Sequence, residues 1–527
     1  MYDILIVNGR IISGRGNPWF HSDLAISGGK ISALGRLNNA KARKIIDAKQ
    51  EVVSPGFIDG HSHSDLSIFV HPRAEAKVMQ GVTTENIGLD GFSLAPIAEK
   101  DIYVWRKYLA GVNGNPDVEW KWRSFADHLD AVDAVKPSLN ISSYVGLGAI
   151  RFQVMGMTDR KATSSEINKM REIALQAMDE GARGISSGLI YPPNQYQTTD
   201  EISCIAQAVN RYGGVYNIHL RSEGDGLFPA MDEALEIGRR SGIPVIITHF
   251  KIQGKKNWGG VEKALEKVDE ARSQGIEVSL EQYPYTAAST VLSAIVPPWY
   301  HADGPDALIR VLRENREIVK KDMYTRTDWE NWALTTGWDS LYVSSVESEA
   351  NQRFVGKSIT VISRMRGLDD PADAVLDIIV EEQGAALMVM FCMDERDVMT
   401  IMSHPAVNFI SDGILGGSQP HPRVYGSFPR ILGRYVREKR LLSLEDAIRK
   451  MTSLPAEKLR LKSKGVIAEG YDADLVIFNP DTIIDTADYD NPRQFPVGIS
   501  WVIVNGEVVV EGGKHTGAAP GKTIRSR

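Results

Sequence analysis

The central part of the chain alternates short apolar segments with amphipathic ones, and this alternation restricts the folds that it can adopt. Segments such as GISSGLI, GVYNIHL, PVIITHF and VNFISDG are rich in β-branched residues and are bounded by glycine or polar residues. Between them, segments such as TDEISCIAQAVNRYG and GVEKALEKVDEARSQG have apolar residues three and four positions apart. Repeated strand–helix units predict an α/β fold with a parallel sheet, and their number favours a (β/α)8 TIM-like barrel.

The two ends of the chain have a different pattern. DILIVNGRIISG and DLAISGGKISALG near the start, and ADLVIFNP and SWVIVNGEVVVEGG near the end, alternate apolar and polar residues around Asn-Gly and Gly-Gly turns. A chain of 527 residues is too long for one core. We therefore predict a small β-sandwich built from residues 1–55 plus 460–527, and a barrel formed by residues 56–459.

One segment interrupts the strand–helix alternation. Residues 298–350 contain charged helical sequence and four tryptophans. We interpret this segment as an inserted helical lid over the mouth of the barrel. A separate helical subdomain is the alternative.

Composition excludes several classes of partner. The formal net charge is -7, with no strongly basic run, which argues against nucleic acid or an anionic membrane surface as a partner. Only two cysteines occur, so a disulfide scaffold is excluded and a reducing compartment is indicated. The first residues do not resemble a signal peptide, and no stretch approaches the roughly 20 apolar residues of a membrane span. We expect a cytoplasmic protein, whose oligomeric state the sequence leaves open.

The segment PGFIDGHSHSD places His61 and His63 two positions apart at the end of a predicted strand. Residues two apart in a strand point to the same face, so both imidazoles are directed to one place. A metal ion would occupy such a place. The alternative is a polar pair that binds the nearby backbone.

Three more polar residues follow predicted strands. His219 ends GVYNIHL, His249 ends PVIITHF and Asp412 ends VNFISDG. In a barrel, side chains at these strand ends meet at one mouth. Imidazole and carboxylate groups suit Zn²⁺, although other divalent metals accept the same groups. A turn is the alternative for Asp412, because SDG is common turn sequence.

The ordered set of motifs resembles a known family. GVTTENIGLDGFSLAP, HLRSEG, HFKIQG, YPYTAAST and PHPRVYGSFPRILGRY, together with PGFIDGHSHSD, are similar to segments of the N-acyl-D-amino-acid deacylase (D-aminoacylase) branch of the amidohydrolase superfamily. The resemblance extends over nearly the whole chain. It implies a zinc enzyme, with one or two ions, that hydrolyses the amide bond of a small N-acyl-D-amino acid.

The resemblance also implies roles for individual residues. His61 and His63 would hold one metal position, and His219 and His249 the other, while Asp412 would border the metal and act as the general base and acid. Binding of the substrate carboxylate falls to Lys251, Tyr283, Ser289 and Arg423. Because STVLSAIVPPW contains no cation, we expect the substrate to carry an apolar side chain.

Two positions depart from the family pattern. The family's GNCG segment, whose cysteine ligates metal, corresponds here to GLDG, which puts Asp90 at the ligand position. The alternative is that Asp90 is a loop residue and that the metal occupancy differs. The family's VGHG corresponds to VGLG, with Leu147 in place of histidine. These changes keep open a related hydrolase of another amide, a dipeptide or a cyclic imide. A barrel without catalytic activity that serves as a binding protein is a further alternative, and the retained ligands argue against it.

Overall fold

The fold of the chain was analysed in a computed structural model, which describes residues 1–526. Within these residues the strands are short outside the chain ends. In chain order the strands are β1 (Tyr2–Ile11), β2 (Phe20–Ser27), β3 (Lys30–Gly35), β4 (Ala42–Asp47), β5 (Val52–Pro55), β6 (Phe57–Asp59), β7 (Ser62–His63), β8 (Val82–Ile87), β9 (Asn140–Ser143), β10 (Val145–Gly146), β11 (Gly184–Gly188), β12 (Val215–His219), β13 (Val245–Ile247), β14 (Val278–Gln282), β15 (Ala287–Val291), β16 (Leu341–Ser345), β17 (Leu387–Phe391), β18 (Val407–Phe409), β19 (Gly413–Ile414), β20 (Leu475–Phe478), β21 (Ile499–Val504), β22 (Glu507–Glu511) and β23 (Lys514–His515).

The α-helices lie mainly between these strands, and short 3₁₀ turns connect some of them. In chain order the helices are α1 (Ser67–Val70), α2 (Glu75–Val78), α3 (Ile102–Asn113), α4 (Phe125–Ala134), α5 (Leu147–Met155), α6 (Ser164–Asp179), α7 (Thr199–Asn210), α8 (Leu227–Ser241), α9 (Val261–Ser273), α10 (Pro305–Glu314), α11 (Arg316–Thr325), α12 (Trp332–Thr335), α13 (Ile359–Arg366), α14 (Pro371–Glu381), α15 (Glu395–Ser403), α16 (Arg423–Arg430), α17 (Leu444–Met451) and α18 (Ser453–Lys458).

Local sequence explains where several helices begin and end. The side chain of Thr163 accepts from the backbone N–H of Glu166, whose carboxylate accepts from the backbone of Thr163, so α6 starts in a capping box. Thr198 and Glu201 form the same arrangement at the start of α7. Helix α8 ends at Gly242, whose φ of +69° suits a residue without a side chain.

Parallel strands form the centre of the molecule. The order β10-β11-β12-β13-β14-β18 makes one parallel sheet, β6-β8-β9 makes a second, and β19 pairs in parallel with β7. Most of these strands are buried along their whole length, because helices cover the sheet. The predicted α/β class is therefore confirmed.

Strands from both ends of the chain meet in one nine-stranded sheet. Its order is β23-β22-β21-β20-β5-β1-β2-β3, with β4 paired to β1. The junction is the antiparallel pairing of β5 with β20, in which Val53 lies opposite Ile477. A separate apolar cluster, which includes Ile4, Leu24 and Ile503, fills one side of this sheet.

The interruption of the strand–helix alternation extends beyond residues 298–350. Between β14 and α15 the chain forms an antiparallel sheet of order β15-β17-β16 and the helices α10 to α14. The sequences AASTV and LMVMF, which form β15 and β17, lie outside the predicted insertion but belong to this unit. Within residues 1–526, no helix combines the length and apolar character needed to cross a membrane.

Candidate metal centre

Strand ends carry all six residues that the sequence suggested as metal ligands. His63 ends β7 and His219 ends β12. His249 follows β13 by two residues, and Asp90 and Asp412 follow β8 and β18 by three residues each. His61 lies in the short connection between β6 and β7. Because the strands are parallel, their carboxyl ends bring these side chains to one edge of the sheets.

The first group of ligand atoms comes from His61, His63 and Asp412. The two Nε2 atoms are 3.2 Å apart. Asp412 Oδ1 lies 3.5 Å from His61 Nε2 and 3.4 Å from His63 Nε2. Three atoms at these separations can bind one ion.

Asp90 joins this group to a second pair of histidines. Its Oδ2 lies 3.7 Å from His61 Nε2 and 3.5 Å from His63 Nε2. Its Oδ1 lies 4.0 Å from His219 Nδ1 and 3.9 Å from His249 Nε2. The rings of His219 and His249 are 4.3 Å apart. Each oxygen of the carboxylate therefore faces a different pair of imidazoles.

Three of these residues have a left-handed backbone. The φ angles are +52° at Asp90, +34° at His249 and +49° at Asp412. Residues with side chains adopt this region at a cost of about 1–3 kcal/mol each, and they cluster at functional sites. Contacts with the surrounding fold therefore stabilise these three residues in a backbone conformation that is otherwise unfavourable.

The donor set fits a divalent cation. All six side chains are nitrogen or oxygen donors, and none is more than 6% exposed. Three of their atoms have no hydrogen-bond partner in the described part of the chain: both ring nitrogens of His219 and Oδ1 of Asp90. Buried polar atoms nearly always have a partner, and a cation among these groups supplies one.

Burial and contacts among the six candidate ligands shift the pKa values of several of them. Burial alone would lower the pKa of His63, but hydrogen bonds to Asp412 and Asp90 raise it to about 9. Burial lowers the pKa of His219 to about 3. The pKa values of Asp90 and Asp412 lie far below their usual range, because the neighbouring positive charges outweigh the effect of burial. Both carboxylates are therefore ionised and available to a cation.

Glu223 is part of the centre although the sequence did not single it out. Its Oε1 accepts from His249 Nδ1 at 2.9 Å and from Lys251 Nζ at 2.5 Å, and its Oε2 lies 3.8 Å from His219 Nε2. Its position four residues after His219, in the segment HLRSEG, was the available signal. A carboxylate on the Nδ1 side of a histidine fixes the ring so that Nε2 faces the metal.

A narrow, partly open cavity lies beside the metal ligands. Lys251, Tyr283 and Ser289 line it, as predicted for residues that contact substrate. Much of the remaining wall is apolar. The apolar residues are Phe92, Val112, Ala288, Trp332, Met390 and Ile414.

Arg423 and Leu147 are placed differently from Lys251. Arg423 Nη1 forms an ion pair with Asp412 Oδ2 at 2.8 Å, and Nη2 donates to the carbonyl of Ser289 at 3.1 Å. Its side chain is buried behind Asp412 rather than among the residues that line the cavity. Leu147 is fully buried at the start of α5 and does not line the cavity either.

Comparison with known proteins decides the family. Residues 44–240 and 365–510, more than half of the chain, match the amidohydrolase family. The chain belongs to the amidohydrolase family. This amidohydrolase is 34% identical to the D-aminoacylase of Alcaligenes xylosoxydans xylosoxydans, over 99% of the chain and 97% of the relative. It is 35% identical to the N-acyl-D-aspartate deacylase of the same organism, over 99% and 95%. The predicted relationship to N-acyl-D-amino-acid deacylases is thus confirmed.

Solved structures agree with this assignment. The N-acyl-D-glutamate deacylase of Bordetella bronchiseptica, complexed with zinc and a phosphonate that mimics the tetrahedral intermediate, is 32% identical. It matches this amidohydrolase with a TM-score of 0.86 over 100% of both chains. A structure of D-aminoacylase matches with a TM-score of 0.83 and 33% identity, also over 100% of both chains. The L-hydantoinase of Arthrobacter aurescens, 17% identical with a TM-score of 0.57, shares the fold.

Proposed function

We propose that this amidohydrolase cleaves the amide bond of N-acyl-D-amino acids and releases a carboxylate and a D-amino acid. The carrying observation is the position of Asp90, whose two oxygens face two different pairs of histidines, with Asp412 beside them. Full-length relatives with this activity support the proposal. Zinc, as one or two ions, is the metal that we propose, since the zinc complex of the Bordetella enzyme has the same fold; other divalent metals would fit the same donors.

His61, His63, Asp90, His219, His249 and Asp412 would hold the metal. Zn²⁺ at these donors would lower the pKa of water to about 7 and polarise the scissile carbonyl. Asp412 Oδ1 is on the side of the histidines, while the ion pair with Arg423 holds Oδ2. We infer that Asp412 takes the proton of the attacking water and transfers it to the leaving nitrogen.

Lys251, Tyr283 and Ser289 are the groups that we propose for the carboxylate of the substrate. They line the same cavity, and the Tyr283 hydroxyl has no partner within residues 1–526. Arg423 supports this role only indirectly, through the carbonyl of Ser289 and the carboxylate of Asp412.

The cavity favours a substrate with an apolar side chain. Among its lining residues in the described chain, Lys251 is the one lysine or arginine, and Glu223 already accepts from it. A second carboxylate on the substrate would therefore be buried without a cation, at a cost of several kcal/mol. We infer a preference for apolar over acidic D-amino acids, which would distinguish this enzyme from the similar N-acyl-D-aspartate and N-acyl-D-glutamate deacylases.

Hydrolysis of N-acetyl-D-methionine by the zinc-loaded protein tests the function. We expect kcat/KM for N-acetyl-D-methionine to exceed that for N-acetyl-D-glutamate by about 100-fold or more, since about 3 kcal/mol of unpaired charge corresponds to this factor. N-acetyl-L-methionine is the control for the D configuration. A metal-loaded protein that hydrolyses a dipeptide or a cyclic imide, but none of the N-acyl-D-amino acids, would contradict the proposal.

Replacement of Asp90 tests its role as a ligand. We expect Asp90→Cys to keep metal binding and to tighten zinc relative to manganese, because a thiolate is a softer ligand than a carboxylate. Competition with a chromophoric chelator measures both affinities. Asp225→Cys, at an exposed carboxylate outside the centre, controls for zinc bound by a surface thiol. Complete loss of metal from Asp90→Cys would exclude position 90 as a ligand.

The strand pairings and the cavity lining also support a proposal for the domain arrangement. We infer that the parallel strands form one (β/α)8 barrel within residues 56–459, supported by the pairing of β19 with β7. Residues 1–55 and 460–526 would form the β-sandwich, and residue 527, the end of the predicted range, lies outside the described residues. Residues 298–350 would form the lid, supported by Trp332 in the cavity wall. We also propose a cytoplasmic enzyme for a small-molecule amide, without nucleic-acid or membrane partners, in keeping with its two distant cysteines and negative charge.

A further inference from the structure

A chain of buried polar groups lies behind His61, on the side away from the other ligands. His61 Nδ1 is 2.5 Å from Thr248 Oγ1, and Thr248 Oγ1 is 2.9 Å from Glu281 Oε2. Thr248 directly precedes His249, and Glu281 belongs to β14. All three side chains are at most 2% exposed. Water therefore does not replace these contacts, and each hydrogen must go to a protein atom.

The neighbours of Glu281 fix the direction of the hydrogen bonds. Asn217 Nδ2 donates to Glu281 Oε2 at 2.9 Å, and Asn408 Nδ2 donates to Oε1 at 3.3 Å. The amide of Asn408 is oriented by Lys458, whose Nζ donates to Asn408 Oδ1 at 2.6 Å. Glu281 thus receives amide hydrogens at both oxygens and acts as an acceptor toward its surroundings.

Thr248 has one hydroxyl hydrogen. Because Glu281 accepts, this hydrogen goes to Oε2, and Thr248 Oγ1 accepts from His61. The proton of the neutral imidazole then lies on Nδ1. The lone pair of His61 Nε2 is left directed at His63, Asp90 and Asp412.

We propose that Thr248 and Glu281 are positioning residues that hold His61 in the Nδ1–H tautomer, so that its Nε2 is available to the metal. The proposal rests on the proposed metal-dependent function and assigns work to two residues that do not touch the cavity. A hydrogen-bond partner of this kind typically changes metal affinity by about 10- to 100-fold.

Gly60 is explained by the same contact. A Cβ atom at Gly60 would lie 2.5 Å from Glu281 Oε1, closer than non-bonded atoms approach, so the carboxylate would have to leave its hydrogen-bond partners. The glycine of PGFIDGHSHSD therefore makes room for the carboxylate that orients the histidine following it. Its φ is outside the left-handed region, so the close approach, and not backbone freedom, requires glycine here.

Thr248→Val tests the chain, because valine has nearly the shape of threonine and lacks the hydroxyl. We expect zinc affinity, measured by chelator competition without substrate, to fall by about 10- to 100-fold. Thr248→Ser restores the hydroxyl and is expected to recover most of the affinity. Thr84→Val is the matched control: Thr84 is equally buried in β8, and within residues 1–526 its hydroxyl has no partner. We expect wild-type zinc affinity for this control.

The tautomer is measured directly in the metal-free wild type. In protein labelled with ¹⁵N-histidine, with the His61 signals identified by their loss in His61→Asn, we expect hydrogen on Nδ1. This readout does not depend on the folding of a Thr248 variant. Hydrogen on Nε2 alone, or wild-type zinc affinity in folded Thr248→Val, would overturn the proposal.

Hydrolysis assays and the tautomer measurement on the wild type distinguish a failure of the proposed function from a failure of the proposed role of Thr248 and Glu281. A wild-type protein that binds zinc but hydrolyses no N-acyl-D-amino acid would contradict the proposed function and leave the tautomer result standing. An active wild type with His61 protonated only on Nε2 would contradict the inference and leave the function standing.

Discussion

Asp412→Asn is expected to reduce kcat by about 10²- to 10⁴-fold, the usual contribution of a general base. Asparagine has nearly the same shape as aspartate, but its amide cannot take a proton from water. The histidines and Asp90 remain as ligands, so we expect the variant to keep its metal. Steady-state kinetics with N-acetyl-D-methionine and metal analysis of the same sample measure the two quantities.

Asp485→Asn is the matched control for this prediction. Asp485, like Asp412, is a buried carboxylate paired with arginine: it accepts from Arg430 at 2.9 Å and from Arg434 at 3.0 Å. Asp485→Asn is expected to lower the stability of the protein but to leave kcat close to that of the wild type. If Asp412→Asn keeps most of its turnover with metal bound, another group acts as the base.

Lys77→Met is expected to destabilise the protein by about 3–5 kcal/mol, the cost of leaving a buried charge without its partner. Lys77 Nζ lies 2.7 Å from Asp59 Oδ2 and 3.9 Å from Glu85 Oε2, and all three side chains are fully buried. It also donates to Ser411 Oγ at 2.5 Å. Methionine keeps the length of the side chain and removes the charge. Urea unfolding of the wild type and of Lys77→Met, in metal-free buffer, measures the difference in the free energy of unfolding.

Two further variants separate charge from packing. In the double variant Asp59→Asn with Lys77→Met, one unpaired carboxylate is removed as well, so we expect a smaller loss of stability than in Lys77→Met alone. Lys44→Met removes a solvent-exposed pair with Glu511 and is expected to cost at most about 1 kcal/mol. A single variant Lys77→Met as stable as Lys44→Met would show that the buried charge pair contributes little.

The Lys77 pair also supports the metal centre. Asp59 accepts from the backbone N–H of Ser411 at 2.9 Å and from its hydroxyl at 2.5 Å, and the N–H of Asp412 donates to the carbonyl of His61 at 3.0 Å. The segments that carry His61 and Asp412 are joined by these contacts. We therefore expect Lys77→Met to weaken metal binding in addition to stability.

The sequence predicted those parts of the molecule that depend on periodicity. Apolar β-branched runs between amphipathic helices predicted the α/β class, and a polar residue after each run predicted that His219, His249 and Asp412 lie near His61 and His63. These positions follow from strand direction alone. Asp90 was found only through the family resemblance, because GLDG by itself is common turn sequence.

Partner choice among buried charges could not be predicted. Lys251 and Arg423 were both expected to meet the substrate carboxylate. Lys251 lines the cavity and also donates to Glu223, whereas Arg423 pairs with Asp412 and does not line the cavity. Two cations and several carboxylates near one cavity allow several pairings. Packing of side chains from distant segments selects among them, and no local pattern in the sequence records that selection.

The antiparallel pairing of β5 with β20 has a consequence for synthesis of the protein. The two strands are separated by about 420 residues, so a ribosome that adds about 5–20 residues each second makes the second strand roughly 20–80 s after the first. During that interval one edge of β5 has no partner, and open edges recruit other chains. Slower translation or a scarcity of chaperones would therefore favour aggregation of the nascent chain, at a strand that immediately precedes the His61 segment.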